Sequence, residues 1–233
     1  MADEYILFWK RPSHDSPWGI LFRYKFFILL LVLMLLHIVL ISLSEHISRT
    51  MHILIFIVVY SLGFLLIGIR SKLSQVTIFT SVAAIILATI NILHDNIWLL
   101  VANFTVYTVF LSLVLICIFH HLLNEKKVSI DSVMAGVVVY LMIGSVFSQI
   151  YTIIEILQPG SFHFASEISH GLVSSATISL YYFSIVTLTT AGYGDIFPVT
   201  NLARILAAYE SMVGQVYLVV FIALLMGRHF SSR

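Results

Sequence analysis

The sequence predicts an all-α membrane protein in which a four-helix N-terminal bundle precedes two spans built around a re-entrant helix. Three observations predict it. The 233 residues are 60% hydrophobic and only 10% charged, with a mean hydropathy of +1.05, whereas a soluble domain carries about 25% charge. Apolar residues fall in separate runs, each long enough to cross a hydrocarbon core that needs roughly 20 of them. Between the last two runs lies an apolar segment too short to cross.

The elements follow in order. Residues 1–23 hold Trp9, Lys10, Arg11, Trp18 and Arg23, an aromatic and basic interfacial anchor rather than a cleavable signal. Six spans are drawn at 24–44, 52–69, 73–93, 97–120, 132–157 and 202–226. The polar stretch Asn124-Glu125-Lys126-Lys127 divides a four-span bundle, 24–123, from a second domain, 124–233. Ser129 or Asp131 caps the fifth helix, and Pro159-Gly160 stops it. No soluble regulatory domain is expected after the last span. With both termini inside, Lys10, Arg11, Arg23, Lys25, Arg70, Lys72, Lys126, Lys127, Arg228 and Arg233 are cytoplasmic, leaving only Arg49 and Arg204 outside. The positive-inside rule selects that orientation in a cell membrane.

The loop after the fifth span contains its own apolar segment, 177–188, with Ser174 and Ser175 as candidate caps. About twelve residues cannot cross a bilayer, so the segment is read as a re-entrant helix. Non-helical backbone at that depth is tolerated only in protein or against a wet cavity. A wet cavity is therefore expected.

Directly after this helix the chain reads Thr189-Thr190-Ala191-Gly192-Tyr193-Gly194-Asp195. This resembles the potassium-channel signature, in which backbone carbonyls replace the hydration shell of the ion. A strand alternates its carbonyls, and Gly192 and Gly194 tolerate the positive φ that re-aims them. The resemblance implies ion sites at the carbonyls of Thr190, Ala191, Gly192 and Tyr193, with Gly194 completing the filter and the Thr190 hydroxyl at its inner end. One chain supplies one such strand while a cage of about eight oxygens needs a ring, so a homotetramer is expected. The re-entrant helix aims the negative end of its dipole at the cavity. Ala191 departs from the Val or Ile usual in the family, which alters packing behind the filter.

From Asn124 to Arg228 the chain is similar to small prokaryotic potassium channels of the two-span pore superfamily. The likeness rests on Val139-Tyr-Leu-Met-Ile-Gly144, Glu155-Ile-Leu-Gln-Pro-Gly-Ser-Phe162 and Tyr209-Glu-Ser-Met-Val-Gly-Gln-Val-Tyr217. It implies that Tyr182, thirteen residues before Asp195, hydrogen-bonds that carboxylate and braces the filter; a solvated Asp and an interfacial Tyr are the alternative. Phe183 lacks the donor of a second common brace. Thr187 is assigned to filter support. The resemblance places a hinge at Gly214, for which close helix packing competes. Gln215, Leu218, Ile222 and Met226 form one stripe, assigned with Gly214 to the pore wall and gate. Glu210 is an acid inside the last span. Its expected role is structural, protonated or hydrogen-bonded to Ser184 or Thr187, with pH gating as the alternative.

Other features carry less. Cys117 is read as a small hydrophobe. His37 and the adjacent His120 and His121 do not make a shared metal site. The fourth span has no Arg or Lys, so it lacks the repeated charges of a voltage sensor. No nucleophile with an oriented base and no phosphate loop is present, and the dispersed net charge of +1 offers no nucleic-acid surface. The expectation is a non-enzymatic, cofactor-free channel for passive potassium conduction, weakly or not at all voltage-gated. A less selective cation channel and a non-conducting modulatory subunit are the rivals.

Overall fold

The computed structural model describes residues 25–42, 72–94, 96–124, 129–165 and 173–231. The predicted anchor 1–23 and second span 52–69 lie outside these residues, as does the side chain of His37. The described elements are α1 (Lys25–Ser42), α2 (Lys72–Leu93), α3 (Ile97–Asn124), α4 (Ile130–Leu157), β1 (Phe162–Phe164), α5 (Val173–Leu188), β2 (Ile196–Pro198) and α6 (Asn201–Ser231). Ile97–Asn124, Ile130–Leu157 and Asn201–Arg228 are long and apolar enough to cross a membrane. The predicted third span is helical as α2, but its apolar stretch, Gln75–Asn91, is shorter than these.

Helix α4 organises the chain, packing against α1, α3, α5 and α6. Ser129 caps it through a capping box: its side chain accepts the Ser132 N–H at 3.0 Å, and the Ser132 hydroxyl accepts the Ser129 N–H at 3.1 Å. Asp131, the other candidate cap, instead accepts the N–H of Phe26 at the start of α1, 2.9 Å away. A partner across the fold has taken it. At the far end, Gln158 N–H still bonds the Ile154 carbonyl. Gly160 then turns with φ +84, and the Glu155 carboxylate accepts the N–H groups of Gly160 and Phe162 at 2.8 and 3.0 Å.

A short β ribbon departs from the all-helical expectation. β1 and β2 pair antiparallel, with Phe162 opposite Pro198 and Phe164 opposite Ile196. Three-residue strands show no alternation that a sequence pattern could reveal. The ribbon ties the chain just after α4 to the chain just before α6, helped by Ala165 N–H to Asp195 O at 2.9 Å.

Helix α5 has 16 residues, about 24 Å at 1.5 Å per residue, short of the roughly 30 Å of a hydrocarbon core. It is described from Val173, with Ser174 and Ser175 in its first described turn. The main apolar core joins α1–α4 to the C-terminal half of the last helix: Phe26, Phe104, Phe110, Ile118 and Met142 share it with Leu188, Tyr217 and Phe221. A second core of Tyr151, Phe162, Leu180, Phe183 and Ala203 lies under the ribbon.

Candidate ion-conduction site

Glycines set how closely α4, α5 and α6 approach. An added Cβ at Gly144 would lie 2.7 Å from Ile185 Cδ1, and one at Gly214 would lie 2.6 Å from the Leu188 carbonyl oxygen. That carbonyl, at the last residue of α5, also accepts the Tyr140 hydroxyl at 2.9 Å. The end of the re-entrant helix is thus clasped between α4 and α6. Gly214 lies on the buried stripe of α6 with Ala203, Glu210, Tyr217 and Phe221. Gln215, Leu218, Ile222 and Met226 are exposed. The structure therefore separates Gly214 from the stripe with which it was grouped, and α6 continues as helix through it. Close packing is the role it displays.

Past Leu188 the chain closes the helix with a Schellman motif. Thr190 N–H bonds the Thr187 carbonyl at 3.0 Å and Ala191 N–H bonds the Val186 carbonyl at 2.9 Å. This motif needs a left-handed residue, and here it is Thr190, with φ 60. A β-branched residue is a true outlier in that region. Sequence reasoning assigned positive φ to the glycines alone. Gly192 and Gly194 follow with φ 57 and 80, so every second residue from 190 to 194 has positive φ. That alternation turns every second peptide over, which allows successive carbonyls to face one side. Thr187 enters through its backbone, as the acceptor of the motif.

Residues 189–195 are all exposed on the single chain, Tyr193 at 72%. Tyr182 lies behind them: its ring stacks on that of Tyr193 with centroids 6.4 Å apart and planes 11° from parallel. The Tyr182 hydroxyl hydrogen-bonds the Asp195 carboxylate. The pair read from the sequence is brought together, and the Tyr193 stacking was not foreseen. Phe183 is buried edge-on against Tyr151 and Phe162, with both centroids 5.4 Å away.

Residues 136–229 match the family model described as an ion channel. The match takes in most of α4, the re-entrant helix, the 189–195 segment and nearly all of α6. Together with three helices able to cross a membrane, it supports a multi-pass membrane protein that is an ion-channel subunit. No curated protein and no solved structure matches the chain.

Glu210 is fully buried and contacts Ser184, one of its two candidate partners; Thr187 is not among its bonds. Tyr151, 59 residues away in sequence, is a second partner and donates its hydroxyl at 2.6 Å. No signal in the sequence pointed to it. His121 lies against the ring of Phe26, 5.9 Å between centroids, while His120 contacts Asn124. Among the described residues no His, Cys, Asp or Glu group could hold a metal. Cys117 is buried, its sulfur 3.9 Å from the Thr77 hydroxyl.

Proposed function

We propose that this chain is a potassium-selective channel subunit of which four copies surround one pore, with 124–233 as the pore module. The observation that carries the reading is the alternation of positive φ at Thr190, Gly192 and Gly194 directly after a helix too short to cross the bilayer. Such alternation supports the reading that the carbonyls of Thr190, Ala191, Gly192 and Tyr193 bind dehydrated potassium. The exposed strand offers one wall of such a cage, and further copies of the chain complete the ring. Asp195 and Tyr182 hold its outer end, while the exposed stripe Gln215, Leu218, Ile222 and Met226 lines the path inward. The termini are cytoplasmic and no cofactor takes part.

Gating by voltage does not belong to this reading, because α3 contains neither Lys nor Arg and moves no comparable charge. The test is purified full-length protein in liposomes, with flux driven by potassium or sodium gradients. Potassium flux with little sodium flux is expected. Equal fluxes would replace selectivity with a general cation pathway, and no flux would leave a non-conducting subunit.

A further inference from the structure

Glu210 lies at the meeting of three helices with no exposed surface. Its Oε2 is 2.6 Å from the Tyr151 hydroxyl on α4. Its Oε1 contacts the Ser184 hydroxyl on α5. The same Ser184 Oγ lies 2.7 Å from the Gly144 carbonyl oxygen. Three hydrogen bonds need three protons. Tyr151 and Ser184 bring one each, and a carbonyl brings none. If Glu210 were ionised, the Ser184 proton could serve Gly144 or the carboxylate but not both, and one short contact would oppose lone pairs. A neutral carboxyl completes the chain. Tyr151 O–H donates to Oε2, Oε1–H donates to Ser184 Oγ, and Ser184 O–H donates to Gly144.

We infer that Glu210 is a buried proton-binding site whose bound proton ties the inner helix to the re-entrant helix and, through Ser184, to α4. The surroundings agree. Helix α5 has no Asp, Glu, His, Lys or Arg. Helix α4 turns Tyr151 and Tyr140 toward this region, and its own carboxylates are engaged elsewhere, Asp131 at Phe26 and Glu155 at Gly160 and Phe162. On α6, Arg204 donates to the Pro198 carbonyl, and Arg228 donates to Leu122 and Leu123. Among the described residues no cation faces the carboxyl, and an unpaired buried charge is strongly disfavoured.

Alkaline medium, by withdrawing this proton, removes one hydrogen bond of the chain and leaves a charge behind the helix that carries the 189–195 segment. Relative to an unfolded chain with an ordinary carboxylate, the stabilisation is therefore full only in acid and is lost progressively as pH rises through neutral, until the buried carboxyl itself ionises. Its consequence for conduction rests on the channel reading; the proton count does not.

Infrared spectroscopy of the reconstituted full chain at neutral pH tests it. A protonated-carboxyl band is expected in the wild type and should vanish in Glu210→Gln. Tyr151→Phe removes one donor and should shift that band without removing it. An ionised-carboxylate band lost in Glu210→Gln, or a carboxyl band untouched by both variants, would overturn the inference. A second readout is thermal. The Gln amide reproduces the neutral acid, donating to Ser184 and accepting from Tyr151. The wild-type melting temperature should fall as pH rises from acid through neutral and the Glu210→Gln value should fall less over that range; parallel curves contradict a proton at Glu210. Absent potassium flux with the infrared result intact would fail the channel reading alone.

Discussion

Thr190, Gly192 and Gly194 hold the backbone conformation that the proposed conduction requires, and substitutions there act through φ rather than through space. An added Cβ at Gly192 meets nothing within 4 Å, yet φ is +57, a region that costs an L residue about 1–2 kcal/mol. Gly192→Ala should therefore abolish potassium flux while the protein still inserts and assembles, as judged by its elution in detergent. Normal flux would remove the segment from the ion path. Gly214 is the opposite case. Its missing side chain is a matter of space, because a Cβ would press on a backbone oxygen, so Gly214→Ala should destabilise by about 1–3 kcal/mol in thermal unfolding. Gly227 provides the control, since nothing lies within 4 Å of its Cβ position and Ala there favours the helix. Tyr182→Phe keeps the ring stacked on Tyr193 and removes the bond to Asp195. Currents should then decline during sustained conduction, fastest at low external potassium, and Asp195→Asn should do the same. Coupled action makes the double variant little worse than either single one.

Among the elements, α6 is tied to α3 near its C-terminal end through Arg228. The Arg228 guanidinium donates to the carbonyls of Leu122 and Leu123 at 2.7 and 2.6 Å, at the C-terminal turn of α3. Those carbonyls have no partner within the helix, and a cation suits the negative end of the dipole. Spreading the inner ends of α6 must break or carry this fork. Arg228→Gln should raise the open fraction in single-channel recordings, because the neutral amide holds the two carbonyls less firmly. An unchanged open fraction would show that α6 moves without α3. Sequence inspection counted Arg228 only as a cytoplasmic charge.

On the scale of the whole molecule, most of the circumference of α6 is uncovered in one chain. Leu202, Tyr209, Met212, Val216, Val219 and Ile222 are all exposed, while the buried stripe is narrow. Bilayer lipid covers part of such a helix, and the proposed fourfold assembly covers the rest. Native mass spectrometry from detergent should give four copies. Voltage steps across a bilayer holding the channel should produce currents of nearly constant conductance. A steep dependence, equivalent to several elementary charges, would require a charge carrier other than α3.

Much of this architecture was legible in residue order because its causes are local. The lengths of apolar runs mark the membrane helices, a run of about twelve residues marks the re-entrant one, and glycine at 192 and 194 marks positive φ. The 13-residue spacing of Tyr182 and Asp195 also survives, since one helix and one tight segment join them. What the tertiary structure alone decided are contacts between segments far apart in the chain. It assigned Asp131 to Phe26 rather than to its own helix, paired β1 with β2, gave Tyr151 to Glu210, and packed Gly214 on Leu188. Each depends on how two elements are set against each other in space. Many residues of a uniformly apolar helix could face a neighbour equally well, and only the packed register selects which ones do.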